Sequence, residues 1–121
     1  MPDTVSLTKI LVGIDGKNLK IGEKEKDEER DFTVRDCILI ALEQGSIMAQ
    51  NKEPLSEVEK LNGYYLSKKI QDEDRTGYTF KSKEVTMIRK YANLRFASVI
   101  FGALVDILDP GEQEDDAAKS D

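Results

Sequence analysis

The stretch "DFTVRDCILIALEQGSIMAQNKEP", residues 31–54, decides how the chain is read, because it carries a fully legible helix start. Thr33 is a good N-cap, and Asp36 at the third helical position completes a pair of the capping-box type. Phe32, just before the cap, is placed to staple onto Cys37. Gly45 is placed to end the helix. Between these limits Val34, Cys37, Ile38, Leu39, Ile40, Ala41 and Leu42 make a helix apolar on nearly every side, which predicts burial at the centre of the fold. "SIMAQNKE" then reads as a loop, and Pro54 as part of the first turn of the next helix.

Upstream, "LTKILVGIDGKNLKIGE" reads as a β-hairpin over residues 8–22, with Asp15-Gly16 as a two-residue turn. Ile10, Val12 and Ile14 would share one strand face, with Leu19 and Ile21 returning beside them. A lone hairpin is marginally stable, so it must pack on the helices. Residues 23–31, "EKEKDEERD", hold no apolar side chain and read as a charged loop. Their alternating lysines and missing central glycine do not fit a calcium loop.

Downstream, Val58, Leu61, Tyr65, Leu66 and Ile70 recur at helical spacing and predict a core-facing helix over about 54–70, with Gly63 placed for close packing. "QDEDRTG" is a polar break, and "YTFK" is an edge that adds to the hairpin. With Ser82 as cap, Val85, Ile88, Tyr91 and Ala92 form one helical face, and Val99, Ile100, Ala103, Leu104, Ile107 and Leu108 form another. The pattern shifts near Asn93 and Leu94, which predicts two helices, about 83–93 and 96–108, with a single bent helix as the alternative. Pro110-Gly111 ends them, and residues 109–121 read as an acidic, disordered tail. The expected fold is α+β and mainly helical: one domain over residues 1–108, with an N-terminal hairpin packed on three or four helices.

Composition narrows function. The chain has 121 residues, no histidine and one cysteine, which removes the commonest general base and any Ser-His or Cys-His pair. Cys37 lies in "CILIAL" and reads as a buried thiol, not a nucleophile. Asp72, Glu73 and Asp74 form a loop cluster without histidine or cysteine near them, so no metal site, cofactor or catalytic residue is expected. No apolar run approaches the ~20 residues of a membrane span, and the first residues do not resemble a signal peptide. These features predict a cytoplasmic, non-enzymatic protein with no membrane partner.

The formal charge of −6 is unevenly laid out. Residues 1–67 carry 13 acids against 9 bases, residues 68–95 carry 4 against 8, and residues 109–121 carry six acids and one lysine. The basic stretch supplies the candidate partner surface: Lys81, Lys83, Arg89, Lys90, Tyr91 and Arg95. Binding a protein is the first reading of that surface. Binding nucleic-acid phosphates is the second, through Lys68, Lys69, Lys81, Lys83, Arg89, Lys90 and Arg95, with Tyr64, Tyr65, Tyr78 and Tyr91 as stacking platforms. A third has the acidic tail competing for a nucleic-acid-binding protein, or shielding the chain's own basic patch. Homodimerisation through the apolar "FASVIFGALVDIL" is a further expectation.

The order "IDGKNLKI", "FTVRDCILIALEQ", "EVEKLNGYYLSKKIQ", "FKSKEVTMIRKYANLRFASVIFGALVDIL" resembles a family of small proteins of tailed bacteriophages and prophages. There a "DGK" hairpin precedes a helix opening with Thr, a middle helix ends in a Lys-Ile pair, and a Ser or Thr cap starts the last helical stretch. The resemblance covers roughly residues 8–108 and departs at the charged insert 23–31 and the acidic tail. It implies a phage-encoded accessory protein, in the host cytoplasm or with the virion, that binds a host or phage protein. It lends no catalytic residues.

Overall fold

A computed structural model describes residues 4–22 and 29–109. The acidic tail beyond Asp109 and most of the charged insert, both read above from composition, lie outside the described residues. Chain order is β1 (Val5–Ser6), β2 (Lys20–Ile21), β3 (Arg30–Asp31), α1 (Val34–Ile40), a π turn (Ala41–Gly45), α2 (Ser46–Lys52), α3 (Glu57–Gln71), β4 (Gly77–Tyr78), α4 (Ser82–Arg95) and α5 (Ser98–Leu108). The fold is α+β and mainly helical, with four helical rods, because α1, the π turn and α2 run on without a break.

The start of α1 is as the sequence predicts. Thr33 Oγ1 accepts the Asp36 N–H at 3.3 Å, and the Asp36 carboxylate accepts the Thr33 N–H at 3.3 Å. Two further first-turn donors are satisfied from outside the helix: Val34 N–H by the Lys9 carbonyl at 2.8 Å, and Arg35 N–H by the Leu7 carbonyl at 3.0 Å. The N-terminal segment is thereby fastened to the helix start.

Its end is not as predicted. Gly45 does not stop the helix but sits buried inside it, in ordinary helical conformation, and the expected loop "SIMAQNKE" is mostly α2. What Gly45 serves is proximity. A Cβ there would meet the Tyr91 carbonyl oxygen and lie 2.6 Å from Tyr91 Cβ and 2.8 Å from Tyr91 C. Absence of a side chain therefore lets the π turn lie directly on the backbone of α4, the most extensive contact between elements among the described residues. Pro54 lies before α3, whose N-cap is Ser56 in a second capping box with Glu59.

The hairpin turn is one residue longer than predicted. Gly13 and Lys17 close it at 2.9 Å, Gly16 N–H donates to the Gly13 carbonyl at 3.0 Å, and Gly16 has φ +80°. That is a three-residue loop with glycine in the left-handed position, a type I turn with a G1 bulge. The added residue reverses which side chains point inward. Leu7 and Leu11 are fully buried, with Leu19 and Ile21 packed against the core, whereas Val12 and Ile14, expected to share a face with Leu19 and Ile21, are exposed. Leu11, Leu19 and Phe32 close a ring of three backbone hydrogen bonds of 2.8–2.9 Å, joining the hairpin to the residue before the α1 cap. β2 pairs antiparallel with β3, and β4 pairs antiparallel with β1 instead of extending the hairpin.

The phase of α3 also differs. Leu66 and Ile70 are buried, but Val58, Leu61 and Tyr65 are exposed, as is Tyr64. Gly63 makes no close contact, since a Cβ there would meet nothing within 4 Å. The end of α3 is capped in tertiary structure. Arg35 donates to the carbonyls of Ile70 at 3.0 Å and Asp72 at 3.2 Å, and to that of Arg75. The last two helices are separate, as expected, but the break falls at Phe96–Ala97 and not at Asn93. Phe96 is extended and sets its ring edge-on to Phe32, 6.2 Å between centroids. The core joins Leu7, Leu11, Phe32, Cys37, Ile38, Leu66, Ile70, Ile88, Tyr91 and Leu104, so the "CILIAL" helix is central. Among the described residues no helix is long and apolar enough to cross a membrane.

Candidate functional site

Amphipathic periodicity sets which side chains α3 and α4 present to the channel between them. On α4, Lys83, Met87 and Lys90 stand at i, i+4 and i+7 and share a face. On α3, Asn62, Tyr65, Leu66 and Lys69 line the opposite wall. The groove they enclose has a volume of about 790 Å³. Its apolar lining includes Leu66, Met87 and the buried Tyr91, and its rim carries Lys68, Lys69, Lys81, Lys83 and Lys90.

Two carboxylates also reach this groove, and both are committed to helix starts. Glu59 caps α3 through Ser56 and lies 3.5 Å from Lys90 Nζ. Its hydrogen bonds from Ser56 and then the ammonium of Lys90 hold it below the ordinary carboxylate range. Glu84 accepts the Lys81 N–H at 2.9 Å and the Tyr78 hydroxyl at 2.8 Å. Burial, then that hydroxyl's hydrogen bond to Glu84, pushes Tyr78 up to about 12. Lys69, Lys81 and Lys83 have no carboxylate partner among the described residues. The groove is therefore positive at its rim and apolar at its base, inside a chain of net charge −6.

Only part of the predicted surface is assembled here. Lys81, Lys83 and Lys90 line the groove, with Lys81 serving as N-cap of α4 in place of Ser82. Arg89 points elsewhere, to an ion pair with Asp109 at 3.6 Å beyond the end of α5. Arg95 hydrogen-bonds Gln44 and lies 5.1 Å over the Phe96 ring, at the break between α4 and α5. Tyr91 is a core residue, 2% exposed. Burial, more than any other influence, raises its hydroxyl above the ordinary tyrosine range. The six residues thus do not form one surface. Lys69, Tyr65 and Met87 complete the set that does, and the Lys83-Met87-Lys90 spacing is the sequence signal that could have found it.

Cys37 is fully buried, and burial followed by the neighbouring Asp36 charge pushes its thiol up to about 12, the reverse of an activated nucleophile. Asp72 is occupied in a local turn, accepting the Asp74 N–H at 3.0 Å. Among the described residues no three histidine, cysteine or acidic side chains are grouped to hold a metal ion. A second large groove, about 890 Å³ between β1 and α5, sets Lys9 against Asp106 and Asp109 and so has no single sign of charge.

No family model matches the chain, and no curated protein or solved structure shows significant similarity to it.

Proposed function

We propose that this protein acts by binding and not by catalysis, as a small cytoplasmic accessory protein of the bacteriophage type. Its α3/α4 groove takes an acidic, amphipathic segment of a host or phage protein. The observation that carries this reading is the combination of a lysine rim with an apolar base of Leu66, Met87 and Tyr91. Acidic flanks on a helix would meet Lys69 and Lys83 while its apolar side filled the channel, the helix-in-groove mode of recognition.

Nucleic acid fits the same rim less well. Arg89 and Arg95 are engaged away from the groove, and Tyr91 lies beneath the surface, unable to stack on a base. The two readings separate by salt. Displacing counterions from phosphates makes nucleic-acid affinity fall steeply with added salt, whereas an interface with an apolar base depends on it less.

The test is a fluorescence titration of the whole protein with three labelled probes: an amphipathic helical peptide with acidic flanks, a single-stranded oligonucleotide and a duplex. Saturable, micromolar peptide binding that survives about 0.3 M salt, and that Lys69→Glu/Lys83→Glu weakens at least about tenfold, is the expected result. Tighter binding to either oligonucleotide with a steep salt slope, or no peptide binding, overturns it.

A further inference from the structure

The face of α3 turned away from the body of the protein is not polar. Leu61 and Tyr64 lie on it, 41% and 57% exposed, with Val58 and Tyr65 beside them. Glu57, Leu61, Tyr64 and Lys68 follow one another at i, i+4, i+7 and i+11, which places all four along a single line on the helix surface. One end of that line is acidic, the other basic, and the middle apolar. Glu57 and Lys68 have no ion-pair partner among the described residues; Lys68 instead lies 5.4 Å over its own Tyr64 ring.

Such a line is complementary to its own reverse. A second copy of the helix laid antiparallel across it, about a two-fold axis between Asn62 and Gly63, sets Glu57 against Lys68 of the other copy. The same operation sets Leu61 against Tyr64, twice over. An isologous interface must be self-complementary in this way, and a stripe with like charges at both ends would not be. The expected apolar dimer face, α5, is instead turned largely inward: Leu104 and Val105 are buried, and Ile100, Phe101, Ile107 and Leu108 pack against the core.

We propose that the chain forms a two-fold symmetric dimer through antiparallel pairing of α3, with Glu57 and Lys68 fixing the register and Leu61 and Tyr64 forming its centre. The contact spans about 16 Å of helix, three turns, so it is smaller than a standard protein interface and the dimer forms in the micromolar range. It lies beside the groove and takes Lys68 from its rim, but does not use Lys69, Met87, Lys83 or Lys90. Each dimer then presents two grooves, which favours bivalent partners through effective concentration.

Sedimentation velocity on the full-length protein across the micromolar range tests the proposal, with circular dichroism confirming that every variant is folded. The wild type passes from monomer to dimer, and Leu61→Glu, at a position already partly in solvent, stays monomeric throughout. Glu57→Lys and Lys68→Glu each weaken association about tenfold, since symmetry creates two like-charge pairs in either variant. The double reversal Glu57→Lys/Lys68→Glu restores it, an outcome peculiar to this antiparallel register. A wild type that is monomeric at every concentration, a dimer that survives Leu61→Glu, or a double reversal no tighter than the single ones each overturns the proposal.

Discussion

Two helices of this protein use the same kinds of residue for opposite purposes. The long rod formed by α1, the π turn and α2 buries Val34, Cys37, Ile38, Ala41, Leu42, Gly45 and Ala49, and its glycine admits the backbone of α4. α3 buries only Leu66 and Ile70, leaves Val58, Leu61, Tyr64 and Tyr65 in solvent, and has a glycine that touches nothing. One rod is the spine on which the fold is assembled; the other is half spine and half surface. A glycine or a leucine at helical spacing therefore says little by itself, and what lies across from it decides its role.

Substitution at the two glycines should divide most sharply. Gly45→Ala forces a methyl group into the Tyr91 main chain, which cannot rotate away as a side-chain tip can. A loss of about 3 kcal/mol or more is expected, at the upper end of overpacking costs, read as a lowered urea midpoint with an unchanged slope. A loss under ~1 kcal/mol would show that the π turn shifts freely on α4.

The leucines of α3 give the next contrast. Leu66→Ala removes a side chain that is 2% exposed and should cost about 2–4 kcal/mol through lost burial and the cavity left behind. Leu61→Ala, five residues earlier, should cost less than about 0.5 kcal/mol, measured at concentrations low enough to keep the protein monomeric. Equal costs would show that both faces of α3 are packed.

Features set by local signals are legible in the sequence, and features that depend on a distant neighbour are not. Thr33 and Asp36 are three residues apart, so their reciprocal bonds were legible, as was the separation of α4 from α5. Glycine after an apolar run usually ends a helix, but the reason for Gly45, the main chain of Tyr91, lies 46 residues away. On α3, Val58, Leu61 and Tyr65 fit a core stripe as well as Leu66 and Ile70 do, and only the position of α1 and α4 chooses between them. The candidate surface was mixed for the same cause. Lys83 and Lys90 share a helix face, but Arg89 and Arg95 are drawn off by Asp109 and Gln44, and Lys69 arrives from another helix.

A smaller effect tests the spine at its start. Burial alone would raise the Asp36 carboxyl, but hydrogen bonds from Arg30 and Thr33 outweigh it and hold it below its ordinary 3.8. Arg30 reaches it twice, Nη1 to Oδ2 at 2.6 Å and Nη2 to Oδ1 at 3.0 Å. A depressed carboxylate contributes stability that is complete above its unfolded value and lost as pH falls through the folded one. Asp36→Asn should therefore cost about 1–2 kcal/mol near neutral pH, most of it from the helix cap because the Arg30 side chain is 60% exposed. The gap between wild type and variant should narrow in denaturation curves as pH falls through and below the ordinary aspartate range. A gap that persists unchanged there would assign the cost to packing and not to the charge.

The last substitution should reverse sign. Gly63 lies within α3, where glycine costs a helix about 1 kcal/mol relative to alanine through the freedom it retains in the unfolded chain. A methyl group there has open space, opposite in every respect to the site at Gly45. Gly63→Ala should raise stability by about 0.5–1 kcal/mol, seen as a higher melting temperature in dilute protein. It should leave peptide binding in the α3/α4 groove unchanged, because Gly63 lies on the α1 side of the helix, toward Leu39 and Leu42. A stable variant that had lost binding would mean that α3 must bend at Gly63 to admit a partner, and would turn that glycine from a weakness of the helix into part of the site.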